Sequence, residues 1–137
     1  MYESSHDLDQ ERSVASVLSK AWNCEFHKLP ISYSVDWMLM REGKGVAFAE
    51  LKSRNVPSTQ YPTLMLSLSK WIKGNDLRRA TTLPFLIIAK FTDGIFYLDS
   101  YTTDVEFGIG GRTDRGDSQD IEPVVYMEIQ HFKKVKQ

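Results

Sequence analysis

The stretch VAFAELKS, residues 46–53, carries the most informative pattern of the sequence. It begins with apolar residues, which is typical of a β-strand buried on both faces, yet Glu50 and Lys52 stand near its end. Burying a charge without a partner costs free energy, so both side chains require a partner or a function. Because side chains alternate between the two faces of a strand, Glu50 and Lys52 project from the same face, roughly 7 Å apart.

A second carboxylate stands in the apolar segment that precedes this strand. Residues 31–40 are rich in β-branched, aromatic and methionine side chains, and they predict a strand that ends at the glycine-flanked turn 41–45. Asp36 interrupts this segment. An antiparallel pairing of the two strands around a turn centred near residue 43 brings Asp36 beside Glu50.

Two carboxylates in an apolar corner repel each other, so a cation must lie between them or one must hold a proton. Mg²⁺ (or Mn²⁺) fits this setting, because it takes one or two carboxylates, retained waters and a substrate phosphate as ligands. Lys52 would then offset the negative charge that develops when a phosphodiester is cleaved. The alternative is a salt bridge between Glu50 and Lys52, with Asp36 accepting hydrogen bonds from the backbone.

The segments that flank this hairpin predict helices and further strands. Residues 7–22 predict the first helix, because apolar side chains recur there at helical spacing, and Glu11 lies on the same stripe. Residues 24–29 predict a short strand. A second apolar stripe predicts another helix, which begins at residue 64 and ends near residue 74 or 80.

The rest of the chain predicts strands and one long loop. Residues 84–89 and 95–98 form two strands that the turn Asp93-Gly94 joins as a hairpin. Residues 108–120 are rich in Gly and Asp and predict a loop, and residues 123–129 predict the last strand. The order αβββαββ(β) predicts an α/β (α+β) fold, a mixed β-sheet flanked by helices, in one domain spanning residues 1–137.

Asp36, the triplet Glu50-Leu51-Lys52 at the end of an apolar strand and Glu11 on the preceding helix together resemble the PD-(D/E)XK nuclease superfamily. Val35 stands where the motif name has Pro. The element order over about residues 7–99 is similar to the restriction-endonuclease-like core. It looks in particular like compact branches such as Holliday-junction resolvases and VRR-NUC nucleases.

The resemblance implies a role for each matching residue. Asp36 and Glu50 would bind Mg²⁺ or Mn²⁺, and the backbone carbonyl of Leu51 would help. Lys52 would position or activate the attacking water, and Glu11 would support the metal or the water. An acidic residue in the first turn of a helix also has an ordinary explanation, because it interacts favourably with the helix dipole.

The function expected from this resemblance is metal-dependent endonucleolytic hydrolysis of DNA phosphodiester bonds. Branched or single-stranded DNA and RNA stay open as substrates. The rival hypothesis is a non-catalytic nucleic-acid-binding or assembly module that retains the nuclease fold. Basic side chains on the second helix and in the long loop are further candidates for nucleic-acid contacts. They are Lys70, Lys73, Arg78, Arg112 and Arg115.

Composition limits the partners and the location. The chain has 137 residues, with 17 Lys and Arg against 18 Asp and Glu. The acidic excess lies in residues 1–11 and 104–120, so the segments around the candidate site are basic. No apolar run approaches the roughly 20 residues of a membrane span, and the polar N-terminus is unlike a signal peptide. We therefore expect a cytoplasmic protein with no membrane partner.

Three further expectations concern partners and origin. Cys24 is the single cysteine, which excludes an intrachain disulfide. The glycine-rich residues 108–112 are followed by no helix pattern, so no nucleotide cofactor is expected. A domain this small offers a narrow groove, and relatives that cut two strands pair two sites, so we expect a homodimer. The resemblance to small nucleases suits a phage or prokaryotic protein.

Overall fold

The computed structural model of this protein describes residues 5–30, 35–102, 104–111 and 121–136. The helices of this part of the chain are α1 (Ser5–Ala21) and α2 (Leu68–Thr81). Its strands are β1 (Glu25–Lys28), β2 (Trp37–Arg41), β3 (Lys44–Ser53), β4 (Thr63–Ser67), β5 (Phe85–Phe91), β6 (Gly94–Asp99), β7 (Glu106–Gly111), β8 (Ile121–Glu128) and β9 (Lys133–Lys134). Single 3-10 turns follow β6 and β8, at Ser100–Thr102 and Ile129–His131. Neither of the two helices has the length and apolar character that crossing a membrane requires.

The strands form two sheets. The larger is a mixed sheet in the order β1-β2-β3-β5-β6-β9, in which β3 and β5 run parallel and the other neighbours run antiparallel. The smaller is an antiparallel sheet in the order β4-β8-β7. The predicted mixed α/β architecture is thereby confirmed, and it has the form of a restriction-endonuclease-like α+β fold.

The predicted hairpin of β2 and β3 is also confirmed. Its tight turn contains Glu42 and Gly43, both with positive φ, as two-residue hairpin turns require. Trp37 pairs with Ala49, and the register shifts by one residue only beyond Leu39, near the turn. The part of the hairpin far from the turn therefore keeps the register that the sequence predicts.

The large sheet separates two apolar cores. Alternate residues of β3 point to opposite faces, so Ala47, Ala49 and Leu51 pack in the core on the side of α1. Phe48 packs in the other core, between the large sheet, the small sheet and α2. By the same alternation, Glu50 points into this second core, among apolar side chains.

Helix α2 lies unusually close to the large sheet. A Cβ atom on Gly74 would lie 2.2 Å from the ring of Phe85, so only glycine fits at this point of the helix. Phe85 is fully buried on β5, the strand parallel to β3. This contact sets the distance between α2 and the large sheet, which includes β3 with Glu50.

Three predicted element boundaries are wrong. Residues 64–67 belong to β4 rather than to the second helix, since Leu64 and Leu66 are buried while Met65 between them is exposed. That alternation has the period of a strand. Residues 108–111 belong to β7 rather than to the predicted loop 108–120, whose residues 112–120 lie outside the described part of the chain. The strand predicted over residues 31–40 begins at Trp37 within the described part, which leaves Asp36 just before it.

Candidate active site

Glu50 is the centre of the candidate site, and it is a charged residue in an apolar core. Its side chain is 1% exposed. Its Oε1 atom accepts a hydrogen bond from Lys70 Nζ at 2.6 Å, and Lys52 Nζ lies 3.9 Å from the same oxygen. Its Oε2 atom is buried and has no hydrogen-bond partner. Half of this carboxylate is therefore paired with a lysine of α2, and the other half is unsatisfied.

The surroundings of Glu50 shift its protonation. Burial raises its pKa, the negative charge of Asp36 raises it further, and Lys70 and Lys52 oppose both effects; the result is a pKa of about 7. Burial and the charge of Lys70 lower the pKa of Lys52. Burial also opposes the charge on Lys70, but the charge and hydrogen bond of Glu50, with the charges of Asp36 and Glu11, together outweigh burial and raise the pKa of Lys70. Perturbed groups in contact are characteristic of functional sites.

Asp36 lies at the open end of the hairpin, beside Glu50 as the register predicts. Its Oδ2 atom accepts a hydrogen bond from the backbone N–H of Leu51 at 3.0 Å. Its Oδ1 atom lies 3.7 Å from Lys28 Nζ, and its backbone carbonyl accepts a hydrogen bond from the N–H of Leu29 at 2.9 Å. These contacts tie Asp36 to both neighbouring strands, β1 and β3.

Glu11 reaches the same end of the sheet from helix α1. Its Oε1 atom accepts hydrogen bonds from Lys28 Nζ at 3.3 Å and from Trp37 Nε1 at 3.2 Å. Burial and the charge of Asp36 raise the pKa of Glu11, against the opposing effect of Lys28. The ammonium group of Lys28 also lies over the ring of Trp37, 5.3 Å from its centroid. Lys28 thus joins Glu11 and Asp36.

The sequence identified the motif residues but not all of their partners. The sequence does not indicate Lys28, because nothing in a short strand shows which neighbour its lysine contacts. The sequence predicts Lys70 only as a nucleic-acid contact, whereas its ammonium group contacts Glu50 in the site itself. Lys73 is exposed on the outer side of α2. Arg78 donates a hydrogen bond to Asn75 and stacks on the ring of Tyr101, away from Glu50. Arg112 and Arg115 lie outside the described residues.

The donor atoms at this end of the sheet can be compared with the needs of a metal ion. Across the described ranges, no three His, Cys, Asp or Glu side chains are grouped so that they could hold a metal. A Mg²⁺ ion needs fewer than three protein side chains, since it binds through one or two carboxylates and keeps several waters. The unsatisfied Oε2 atom of Glu50 is a buried oxygen that a cation would satisfy. The residues present therefore fit a hard divalent ion with a partly hydrated shell.

Comparison with known proteins identifies the family of this chain. A search of curated proteins finds no match. A family model described as "Phage putative PDDEXK endonuclease" matches residues 1–135, which is almost the whole chain. The match includes the hairpin and both helices, and it confirms the resemblance to the PD-(D/E)XK superfamily. This chain therefore belongs to that phage family of PDDEXK endonucleases.

Proposed function

We propose that this protein is a divalent-metal-dependent endonuclease that hydrolyses phosphodiester bonds of DNA. The observation that carries this proposal is the carboxylate of Glu50, which is buried in an apolar core with one unsatisfied oxygen. Asp36 lies beside it at the end of the same hairpin, and Lys52 is in contact with it. Membership of an endonuclease family supports the reaction class.

Asp36 and Glu50 would hold the Mg²⁺ or Mn²⁺ ion. The backbone of Leu51 would help, because the N–H and C=O of one residue in a strand face the same edge. The N–H of Leu51 donates to Asp36, so its carbonyl faces the edge where Asp36 lies. When bound, the ion would supply Lewis-acid stabilisation of the phosphate and a more acidic water.

The protein's own side chains would orient the reactants. Lys52 lies on the same face as Glu50 and would position the attacking water. Burial and the charge of Lys70 lower the pKa of Lys52, so its ammonium group releases a proton more readily than an exposed lysine does. Glu11 would act through Lys28 and Trp37, whose hydrogen bonds to it hold this end of α1 beside Asp36.

A cleavage assay tests this proposal. The protein is incubated with plasmid, single-stranded, flap and four-way-junction DNA, and with RNA, in Mg²⁺, Mn²⁺ or EDTA. We expect cleavage that EDTA abolishes, and losses of roughly 100-fold or more in Asp36→Asn, Glu50→Gln and Lys52→Met. Glu42→Gln is a matched control, because Glu42-Gly43-Lys44 repeats the Glu-x-Lys spacing in an exposed turn.

The alternative function is a nucleic-acid-binding or assembly module without turnover. It predicts that the protein binds DNA but leaves every substrate intact in both metals. Cleavage by Asp36→Asn and Lys52→Met at the wild-type rate would also contradict the enzyme proposal, because the activity would then come from elsewhere. Under the enzyme proposal, Glu42→Gln should cut like the wild type.

We also propose that two copies of the chain form a homodimer through β7. This strand lies at the edge of the small sheet, and its Phe107 and Ile109 side chains are 67% and 68% exposed. Antiparallel pairing of two copies about Gly108 would put Phe107 opposite Ile109 of the partner subunit, an apolar pair on each side. Phe107→Glu should then give a smaller species in sedimentation. Ile72→Glu, which changes an exposed side chain of α2, should not. A wild-type monomer at high concentration would contradict this pairing.

A further inference from the structure

The candidate site contains equal numbers of acidic and basic side chains. Each carboxylate lies within 4 Å of at least one lysine ammonium group, at distances from 2.6 to 3.9 Å. The carboxylates are those of Glu11, Asp36 and Glu50, and the ammonium groups are those of Lys28, Lys52 and Lys70. The formal charges of these six side chains therefore cancel.

Two of these lysines come from outside the motif strand. Lys28 stands at the end of β1, where it contacts both Glu11 and Asp36. Lys70 stands in the first turn of α2 and makes the shortest contact of the site, with Glu50. Each ammonium group is carried on a flexible four-carbon stem, so it can change partners without movement of the backbone.

A divalent ion that enters this site competes with both lysines for the carboxylate oxygens. It also adds two positive charges to a balanced cluster, and the burial of Glu50 makes an excess of charge unfavourable. A phosphate of the substrate supplies the missing negative charge. The lysines that the ion displaces are within reach of that phosphate, because they border the same carboxylates.

We propose that Lys28 and Lys70 are internal counter-ions, which neutralise the carboxylates in the free protein and bind DNA phosphates once a divalent ion replaces them. This inference rests on the proposed function of the site. It follows that the free protein binds the ion weakly. DNA strengthens the binding of the ion, and the ion strengthens the binding of DNA by the same factor.

Binding of Mn²⁺ without DNA tests the first half of the inference. Free Mn²⁺ is measured by electron paramagnetic resonance in the wild type and in Lys70→Gln, which keeps a hydrogen-bond donor near Glu50 but removes the charge. We expect Lys70→Gln to bind Mn²⁺ about tenfold more tightly, since one nearby positive charge is lost. Lys73→Gln, on the exposed side of the same helix, should stay within about twofold of the wild type.

Binding of Mn²⁺ with DNA tests the second half. A short duplex with non-hydrolysable linkages should raise the Mn²⁺ affinity of the wild type about tenfold, and Lys70→Gln should lose most of this gain. Lys28→Gln is a second variant, which should show the same two effects and leaves the buried contact of Glu50 intact. Circular dichroism confirms that each variant is folded before titration.

The possible outcomes separate this inference from the proposed function. An Mn²⁺ affinity in Lys70→Gln and Lys28→Gln that equals or falls below that of the wild type overturns the counter-ion role, even if the wild type cuts DNA. A wild type that binds no Mn²⁺ and cuts nothing overturns both proposals. Tighter Mn²⁺ binding in the variants, with loss of the gain from DNA, supports the inference.

Discussion

The contact between Lys70 and Glu50 predicts a loss of stability that depends on pH. Lys70→Met removes the ammonium group that lies 2.6 Å from Glu50 and leaves Lys52, at 3.9 Å, as the nearest cation recorded for this carboxylate. The carboxylate stays buried, because the core around it is unchanged. A buried charge that loses its partner is strongly destabilising, whereas a buried neutral carboxyl group is much less so.

The raised pKa of Glu50 determines how far, and in which direction, the free energy of unfolding changes with pH. Its pKa is about 7 in the folded protein, against 4.5 for an ordinary glutamate. Between these values the native state binds a proton that the unfolded chain has released, so the free energy of unfolding falls as pH rises. At 1.36 kcal/mol per pKa unit, this fall amounts to about 3 kcal/mol in the wild type.

Removal of Lys70 raises the pKa of Glu50 further, so the fall continues above pH 7 in the variant. At pH 5, where Glu50 is protonated in both proteins, Lys70→Met should cost about 1 kcal/mol, the typical value of one hydrogen bond. At pH 8.5 the cost should approach about 3 kcal/mol, because the fall continues in the variant for at most roughly 1.5 further pH units at about 1.36 kcal/mol per unit. The difference between the costs of Lys70→Met at the two pH values measures the contribution of the charge on Glu50.

Urea unfolding in EDTA at pH 5, 7 and 8.5 measures these costs. Lys73→Met, on the exposed side of α2, is the control and should be neutral at each pH. In a Glu50→Gln background the pH dependence of the Lys70→Met effect should disappear, because residue 50 no longer titrates. A cost that is equal at pH 5 and pH 8.5 would refute the reasoning, since the effect of Lys70 would then be packing alone.

Three further predictions concern packing and the environment of Glu11. Gly74→Ala should destabilise the protein by about 1–3 kcal/mol in urea, although alanine favours helices, because its Cβ atom meets the ring of Phe85; an increase in stability would contradict the close approach of α2. Leu18→Ala should cost about 2–5 kcal/mol with an unchanged urea dependence, since Leu18 is fully buried; a cost below 1 kcal/mol would place it outside the core. Trp37→Phe should raise the pKa of Glu11 further, because the indole hydrogen bond that lowers this pKa is lost. Carboxyl chemical shifts followed against pH measure the pKa of Glu11, and an unchanged pKa would contradict the role of this hydrogen bond.

The part of the site that sequence patterns predicted lies in one hairpin. The glycine-containing turn and the alternation along β3 depend on neighbours within about fifteen residues, so they can be read directly from the chain. They placed Asp36 beside the Glu50-Leu51-Lys52 triplet, and the hydrogen bond from Leu51 to Asp36 agrees with that placement. Local rules are sufficient where the interacting residues are close in sequence.

Contacts between distant segments could not be predicted in this way. Residues 63–67 pair with residues 124–128, and nothing in the first segment identifies the second. The spacing of Leu64, Met65 and Leu68 fits a helix, whereas the alternation of Leu64 and Leu66 fits a strand, and only burial of the alternate residues decides between them. The position of Lys70 over Glu50 depends on how closely Gly74 approaches Phe85, a packing detail that periodicity does not contain.

The sequence left two explanations for Glu50, a salt bridge and a metal site, and the contacts of its two oxygens bear on the choice. The salt bridge exists, but its closest partner is Lys70 of α2 rather than the motif residue Lys52. Such a pair adds little net stability, because desolvation of two charges offsets their attraction and an apolar pair would stabilise a core as well. The pair also leaves Oε2 without a partner, which a purely structural role would not require. A carboxylate that the fold does not need, and that it only half satisfies, is better explained by a ligand than by stability.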